Sequence, residues 1–168
     1  MPSPTLRMRS IGSLAIVVAS SFATACGSDG EITDPGGSLG SSFSATVTGG
    51  SAGSYSGGLS SAVQSGGLFS IGLSTADGKF ALAFTRSGAR PATGTYPLGT
   101  NPQTGFTAAL NVNGGQAIYS STSGTLTITA SSSTEIKGTF QFTGALSAGT
   151  GAAANVSGSF TTACPGGC

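Results

Sequence analysis

Apolar and polar residues alternate along most of the chain from residue 43 onward. The clearest runs, each with its members two positions apart, are Phe43, Ala45 and Val47; Phe69, Ile71 and Leu73; Phe80, Leu82 and Phe84; Leu126 and Ile128; Phe140 and Phe142; and Val156, Gly158 and Phe160. A period of two is typical of a strand with one buried and one solvated face. No long segment has the spacing of an amphipathic helix. The pattern predicts an all-β fold: an antiparallel β-sandwich, or a partly closed barrel, of about nine to ten short strands over residues 43–163.

Turn-forming residues separate these runs. Asp77-Gly78 and Asn113-Gly114 each lie between two alternating segments. Such dipeptides favour type I′ hairpins, in which both central residues have positive φ. Paired glycines at 49–50, 57–58 and 66–67 punctuate the early strands. Parallel pairing is not expected, because it needs long crossovers and the chain has no helical segment to supply them.

The first 25 residues have the three parts of a secretory signal. Arg7 and Arg9 precede an apolar run over residues 11–22, and the small residues Ala23-Thr24-Ala25 follow it. A run of this length is too short to cross a bilayer as a helix, which takes about 20 residues. We therefore expect residues 1–25 to be a signal peptide that is removed.

The segment Ala23-Thr24-Ala25-Cys26 resembles the lipobox of bacterial lipoproteins. The resemblance implies cleavage between Ala25 and Cys26 and attachment of fatty-acyl chains, such as palmitate, at Cys26. An Asp after the cysteine tends to retain such lipoproteins at the inner membrane, whereas Gly27 stands here, so the resemblance implies the outer membrane of the cell envelope. Ala23-Thr24-Ala25 also satisfies the ordinary A-x-A cleavage rule, which would give a secreted protein with an unlipidated thiol.

Residues 26–42 are predicted to be the lipidated Cys26 and a flexible tether. The segment after Cys26 is rich in Gly and Ser and nearly free of apolar side chains. Such a composition buries too little surface to offset the entropy of ordering. A flexible chain of this length spans roughly 20–24 Å, so we expect the membrane to be a partner through the anchor, with the β domain standing just off its surface.

Composition argues against several classes of function. The formal net charge is +1, and charged residues make up 7% of the chain. Nucleic-acid binding needs clustered Lys and Arg, so it is not expected. The chain has no His, the commonest general base and metal ligand, so no metal, cofactor or catalytic residue is predicted. A hydrolase built on a Ser–Lys pair is a distant third hypothesis, since no spacing selects a particular serine.

Cys164 and Cys168 remain as a pair once Cys26 is acylated. They enclose Pro165-Gly166-Gly167, and a type II turn there would bring them within the ~7 Å Cα separation that a disulfide needs. We predict a disulfide in this tail, residues 164–168, with two free or intermolecular thiols as the alternative.

The candidate ligand contacts are few. Tyr55, Tyr96 and Tyr119 are the aromatic residues with a polar end, and Arg86 and Arg90 flank a short loop that could hold an anion. The polar strand face is dense in Ser and Thr and lacks the charges that discourage edge pairing. Association with another envelope protein, or self-association, is therefore a hypothesis.

Short motifs in the second half are similar to those of small β-sandwich lipoproteins of uncharacterised Gram-negative families, known as domains of unknown function. They are Ile136-Lys137-Gly138-Thr139-Phe140 and Val156-Ser157-Gly158-Ser159-Phe160, preceded by Ser123-Gly124-Thr125-Leu126-Thr127-Ile128, with Thr93-Gly94-Thr95-Tyr96-Pro97-Leu98 as the central segment. The resemblance implies no catalytic residue. The expected function is a non-catalytic, lipid-anchored envelope protein with a structural or ligand-binding role. The alternative is a secreted or surface β-module that binds a glycan or a small apolar ligand.

Overall fold

The structure is a computed structural model that describes residues 40–57, 59–164 and 168. The predicted signal peptide, the predicted acylation site Cys26 and most of the predicted tether lie outside the described residues.

The described chain is all-β, as predicted. Its ten strands are β1 Ser42–Gly49, β2 Gly53–Ser56, β3 Leu59–Ser65, β4 Leu68–Ser74, β5 Phe80–Ser87, β6 Gly94–Gly99, β7 Phe106–Val112, β8 Ala117–Ser131, β9 Glu135–Gly149 and β10 Ala154–Ala163. One short 3₁₀ turn, Asn113–Gly115, joins β7 to β8. Among these residues no helix is long and apolar enough to cross a membrane.

The strands bond into a ring, which is the partly closed form of the predicted architecture. The ring runs β10–β9–β8–β7–β5–β4–β3 and returns to β10. β6 lies beside β8 where β7 diverges from it, and the β1–β2 hairpin is attached to β10. All the long ladders are antiparallel, but two short parallel contacts differ from the expectation. They are the single pair Ala163 and Ser61, which closes the ring, and the start of β7 against the end of β6.

Two of the strands are longer than expected. β8 and β9 each have 15 residues. The first part of β8 pairs with β7 and its later part with β6, with three irregularities in the β8–β9 register along the way. Bulges bend a strand and increase its twist, which allows one strand to serve two neighbours around the ring.

The predicted apolar faces form the core. The inward side chains of β4 and β5, among them Phe69, Ile71 and Phe84, are fully buried. The interior holds a cluster of aromatic rings, in which Phe84 contacts Phe140, Phe142 and Phe160 at centroid distances of 5.2 to 6.4 Å. Buried aromatic area of this kind is the main favourable term for such a fold.

The turn between β4 and β5 differs from the predicted type I′ form. Gly78 has a φ of 68°, but Asp77 does not have positive φ. Instead, Gly78 N–H donates to the Thr75 carbonyl (3.0 Å), and the Asp77 carboxylate accepts from the Thr75 hydroxyl (2.6 Å) and the Lys79 amide (3.1 Å). The side chain of Asp77 therefore organises a longer loop in place of a two-residue turn. At the β7–β8 connection, Asn113 and Gly114 both have positive φ, as predicted.

Candidate functional site

Tyr119 is buried inside the ring. Its side chain has no exposed surface, and its hydroxyl lies 3.0 Å from the Ser51 hydroxyl. A Cβ added at Gly50 would meet the same Tyr119 oxygen at 2.7 Å, so the β1–β2 turn closes directly over it. This tyrosine serves packing and a local hydrogen bond, and it offers no surface for a ligand.

Tyr96 and Arg86 form one stacked unit with Phe106. The Arg86 guanidinium carbon lies 5.1 Å from the Tyr96 ring centroid and 5.5 Å from that of Phe106. The Tyr96 hydroxyl donates to the Ala92 carbonyl at 2.9 Å. Stacking of a guanidinium on aromatic faces is favourable, by roughly 0.5–1 kcal/mol at exposed sites. This stacking holds the Arg86 guanidinium against the Tyr96 and Phe106 rings.

Arg90 is bound to a different loop. Its Nη1 donates to the Ser132 carbonyl at 2.6 Å, while the Ser131 hydroxyl donates to the Pro91 carbonyl at 2.7 Å. These bonds join the β5–β6 loop to the β8–β9 turn. Arg86 and Arg90 therefore have separate protein partners, and no contact between them joins the two side chains into one anion site.

Tyr55 lies beside an open groove. The β2 groove, as we call it, is a depression of about 530 Å³ lined by Ser54, Tyr55 and Ser56 on one wall and by Thr75, Ala76, Asp77 and Lys79 on the other. The Tyr55 ring stacks on Phe80 with a centroid distance of 4.6 Å. The tyrosine thus covers the core beside Phe80, the first residue of β5.

A second feature is a polar surface on the outside of β1, β10, β9 and β8, which we call the hydroxyl face. One row of outward side chains runs through cross-strand neighbours from β6 to β1: Thr95, Thr127, Thr139, Ser159 and Ser44. The next row contains Thr125, Gln141, Ser157 and Thr46. Alternation places every second residue of a strand on one face, so the Ser and Thr residues of these strands form a surface of neutral hydrogen-bonding groups.

Shallow depressions follow this face. One of about 350 Å³ is lined by Thr46, Gln141, Thr143 and Asn155 among others, and another of about 390 Å³ by Ser44, Thr139 and Ser159. Some of the hydroxyls bond to one another, as Ser44 does with Ser159 at 3.2 Å and Thr95 with Thr127 at 3.1 Å.

The carboxylates in the described ranges are each held by a nearby lysine. Asp77 Oδ2 lies 3.4 Å from Lys79 Nζ, and Glu135 Oε1 lies 3.0 Å from Lys137 Nζ. The hydrogen bond from the Thr75 hydroxyl, followed by that from the Lys79 amide, lowers the pKa of Asp77 from its ordinary value of 3.8. A lowered pKa keeps Asp77 ionised near neutrality, the opposite of what a general acid requires. Within the described part of the chain, no group of three or more His, Cys, Asp or Glu side chains comes together.

The two C-terminal cysteines are linked in the structure. Cys164 and Cys168 form a disulfide with their Cα atoms 5.2 Å apart. Cys164 is buried against the core, and its amide donates to the Thr134 carbonyl at 2.9 Å. The bridge therefore holds the last described residue close to the end of β10.

The β2 groove is the feature that sequence reasoning missed. The sequence points to Tyr55 only through its amphipathic ring. Nothing local to residues 53–56 indicates that their second edge has no partner strand among the described residues.

Comparison of the chain with known protein families, curated proteins and solved structures gives no significant match.

Proposed function

We propose that this chain is a non-catalytic envelope lipoprotein, anchored by acyl chains on Cys26 and carrying a neutral β-barrel as a structural or binding module. The observation that carries the proposal is the sequence Ala23-Thr24-Ala25-Cys26 at the end of an apolar run of signal-peptide length. Multiple acyl chains give firm membrane attachment, at about 0.8 kcal/mol per buried CH₂.

The geometry supports a module that acts through its surface. The inward residues pack into a cluster of aromatic and aliphatic side chains, whereas the polar groups are distributed over the outer strand faces. The described side-chain carboxylates form ion pairs with nearby lysines, and Asp77 also accepts hydrogen bonds within its loop. A filled interior with outer faces made mostly of uncharged groups favours mechanical or recognition roles over proton-transfer chemistry.

The test of the anchor is intact-mass measurement of the protein purified from membranes, compared with the Cys26→Ser variant. We expect the wild type to begin at residue 26, to be heavier than the polypeptide by its acyl chains, and to partition with membranes. Cys168→Ser is the matched control, because it removes a cysteine other than Cys26 and should leave acylation unchanged. An unmodified mature chain that is recovered only in the soluble fraction would overturn the proposal.

The second candidate is a surface module that binds a neutral glycan, and the hydroxyl face favours it. Rows of Ser, Thr, Asn and Gln side chains can exchange hydrogen bonds with sugar hydroxyls without a charge requirement. Binding of neutral oligosaccharides should be abolished when Thr139 and Ser157 are both changed to Lys. Ser65→Lys, at the exposed end of β3, should leave it intact. No measurable binding by the wild type would remove this candidate while leaving the anchor proposal standing.

A further inference from the structure

β2 has one hydrogen-bonded neighbour in the described sheet, which is β1. The direction of its remaining backbone groups follows from the ladder. Gly57 N–H donates to the Phe43 carbonyl at 2.9 Å. In an antiparallel pair, residues bonded to the neighbouring strand alternate with residues whose N–H and C=O point away from it.

The register then identifies the backbone groups of β2 that have no partner strand among the described residues. Tyr55 lies opposite Ala45, two residues from the Gly57 bond, so it belongs to the bonded set. Ser54 and Ser56 fall between the bonded positions. Their N–H and C=O groups, four in all, therefore point away from β1 and into the β2 groove, which both residues line.

The opposite wall of the groove, residues 75–79, donates no backbone hydrogen bond to Ser54 or Ser56 and accepts none from them in the described structure. Three of its N–H groups are bonded within the β4–β5 connection: Thr75 N–H donates to the Phe80 carbonyl at 3.0 Å, Gly78 N–H to the Thr75 carbonyl, and Lys79 N–H to the Asp77 carboxylate. These three groups are therefore not available to β2, whose outer edge faces the loop across the groove.

Within the described ranges, the edge also lacks the usual protection against strand addition. Natural edge strands are commonly guarded by Lys, Pro or an inward charge. β2 reads Gly-Ser-Tyr-Ser and contains none of these. Its tyrosine is turned toward the core, where it stacks on Phe80 and approaches Gly53 so closely that a Cβ there would meet the tyrosine oxygen at 2.8 Å. The outer edge is left small and polar.

We propose that the β2 groove binds an extended peptide segment of another protein, which adds as a strand to β2 through the backbone groups of Ser54 and Ser56. Strand addition takes its affinity from main-chain hydrogen bonds and its specificity from alternate side chains. The fitting segment has uncharged side chains, because the walls offer hydroxyls and an Asp77–Lys79 ion pair whose two charges balance. A free segment fits better than a second barrel, whose β2 would bring its own β1 against the loop of residues 75–79.

This inference goes beyond the proposed function and is tested without the lipid, on the full chain carrying Cys26→Ser. The probe is a synthetic peptide with the sequence of β1, Ser42–Gly49, whose side-chain alternation already suits pairing with β2. We expect it to slow hydrogen exchange of the Ser54 and Ser56 amides by about tenfold or more and to shift their NMR signals together with that of Lys79. A failure here leaves the acylation result untouched.

Two matched controls make the test decisive. In the protein, Ser56→Pro removes an outward N–H that β1 does not use, and binding should fall at least tenfold with the β1–β2 ladder retained. In the probe, N-methylation at the alternate residues whose N–H groups face β2 should abolish binding, whereas N-methylation along its other edge should not. The protein is unaltered in both cases, so this comparison does not depend on the folding of a variant. Unchanged exchange at Ser54 and Ser56 at saturating peptide, or binding that survives N-methylation of the edge that faces β2, would overturn the proposal. Pairing between two copies of the chain in the absence of peptide would do the same.

Discussion

The ring of Phe160 lies against the bare backbone of Gly138, its cross-strand partner on β9. The neighbouring pair is reciprocal, since Phe140 on β9 faces Gly158 on β10. A Cβ at Gly138 would come within 2.9 Å of Phe160 Cζ and 2.6 Å of the Thr127 carbonyl oxygen. An aromatic ring packed over a cross-strand glycine protects the backbone and fixes the register of the two strands. The repeated Gly-hydroxyl-Phe motif of the two strands thus acts as a packing device in the core.

Gly138→Ala should destabilise the barrel. The new methyl group meets a backbone oxygen that cannot rotate away, and overpacking of a filled core costs about 1–3 kcal/mol. Gly72→Ala on β4 is the matched control, because its Cβ would meet only the Ser61 hydroxyl at 4.0 Å. In a strand without that conflict, Ala is favoured over Gly by roughly 0.5–1 kcal/mol. Urea unfolding of both variants should therefore give shifts of opposite sign, and equal losses would contradict this account of Gly138.

Ser121 should be the most sensitive serine of β8. It is buried, and its hydroxyl accepts from the Ala108 amide at 2.8 Å and donates to the Gly99 carbonyl at 2.7 Å. It thus bonds β7 and β6 at the point where the two strands diverge on β8. Ser121→Ala leaves both backbone groups without that partner, and we expect a loss of about 1–3 kcal/mol in unfolding free energy.

The control for Ser121 is its neighbour. Ser120 is exposed and bonds to the Ser147 hydroxyl at 2.7 Å. Both groups can turn to water when the bond is lost, so Ser120→Ala should change stability by no more than about 0.5 kcal/mol. If the two alanine variants unfold at the same urea concentration, the junction role of Ser121 is wrong.

The local part of this fold could be predicted from sequence, because alternation reports burial directly. Phe69, Ile71 and Leu73 are two apart and all face inward, as the period requires. The closure of the ring could not be predicted in this way. It depends on Ala163 meeting Ser61, and no local pattern records which distant strands become neighbours.

The candidate site residues show the same limit: the sequence gives their chemistry, but tertiary packing decides which of them are exposed. Residue chemistry selected all three tyrosines equally, yet Tyr119 is buried while Tyr55 borders a groove. Their sequence surroundings do not separate them, since each lies in a Ser- and Gly-rich segment. The difference arises from tertiary packing: Tyr119 lies in a central strand with neighbours on both sides, and Tyr55 in the terminal strand of the sheet.

Tyr119 and Ser51 should be energetically coupled. Their hydroxyls form a partly buried hydrogen bond of 3.0 Å. Tyr119→Phe keeps the ring and removes that bond, so we expect a loss of about 0.5–1.5 kcal/mol. Ser51→Ala removes the other partner. In a double-mutant cycle the second change should then cost little more than the first. Additive losses from the two variants would show that the hydroxyls act independently.

Asp77 should give the β4–β5 loop a dependence on acid pH. Its folded-state pKa lies below the ordinary 3.8, chiefly because the Thr75 hydroxyl donates to the carboxylate, and next because the Lys79 amide does. A lowered folded-state pKa means that the stabilisation is fully present above the unfolded-state value and is lost as the pH falls through the folded-state pKa. We therefore expect the loop to be insensitive to pH between about 5 and 7 and to loosen below about pH 4.

An NMR titration of the Asp77 carboxyl and the Lys79 amide measures this pH dependence directly. Thr75→Val removes the largest cause and should move the Asp77 pKa back toward 3.8, whereas Ser74→Ala, which leaves the Thr75 hydroxyl in place, should not move it. A titration of wild-type Asp77 at or above 3.8 would show that these hydrogen bonds do not favour the ionised carboxylate.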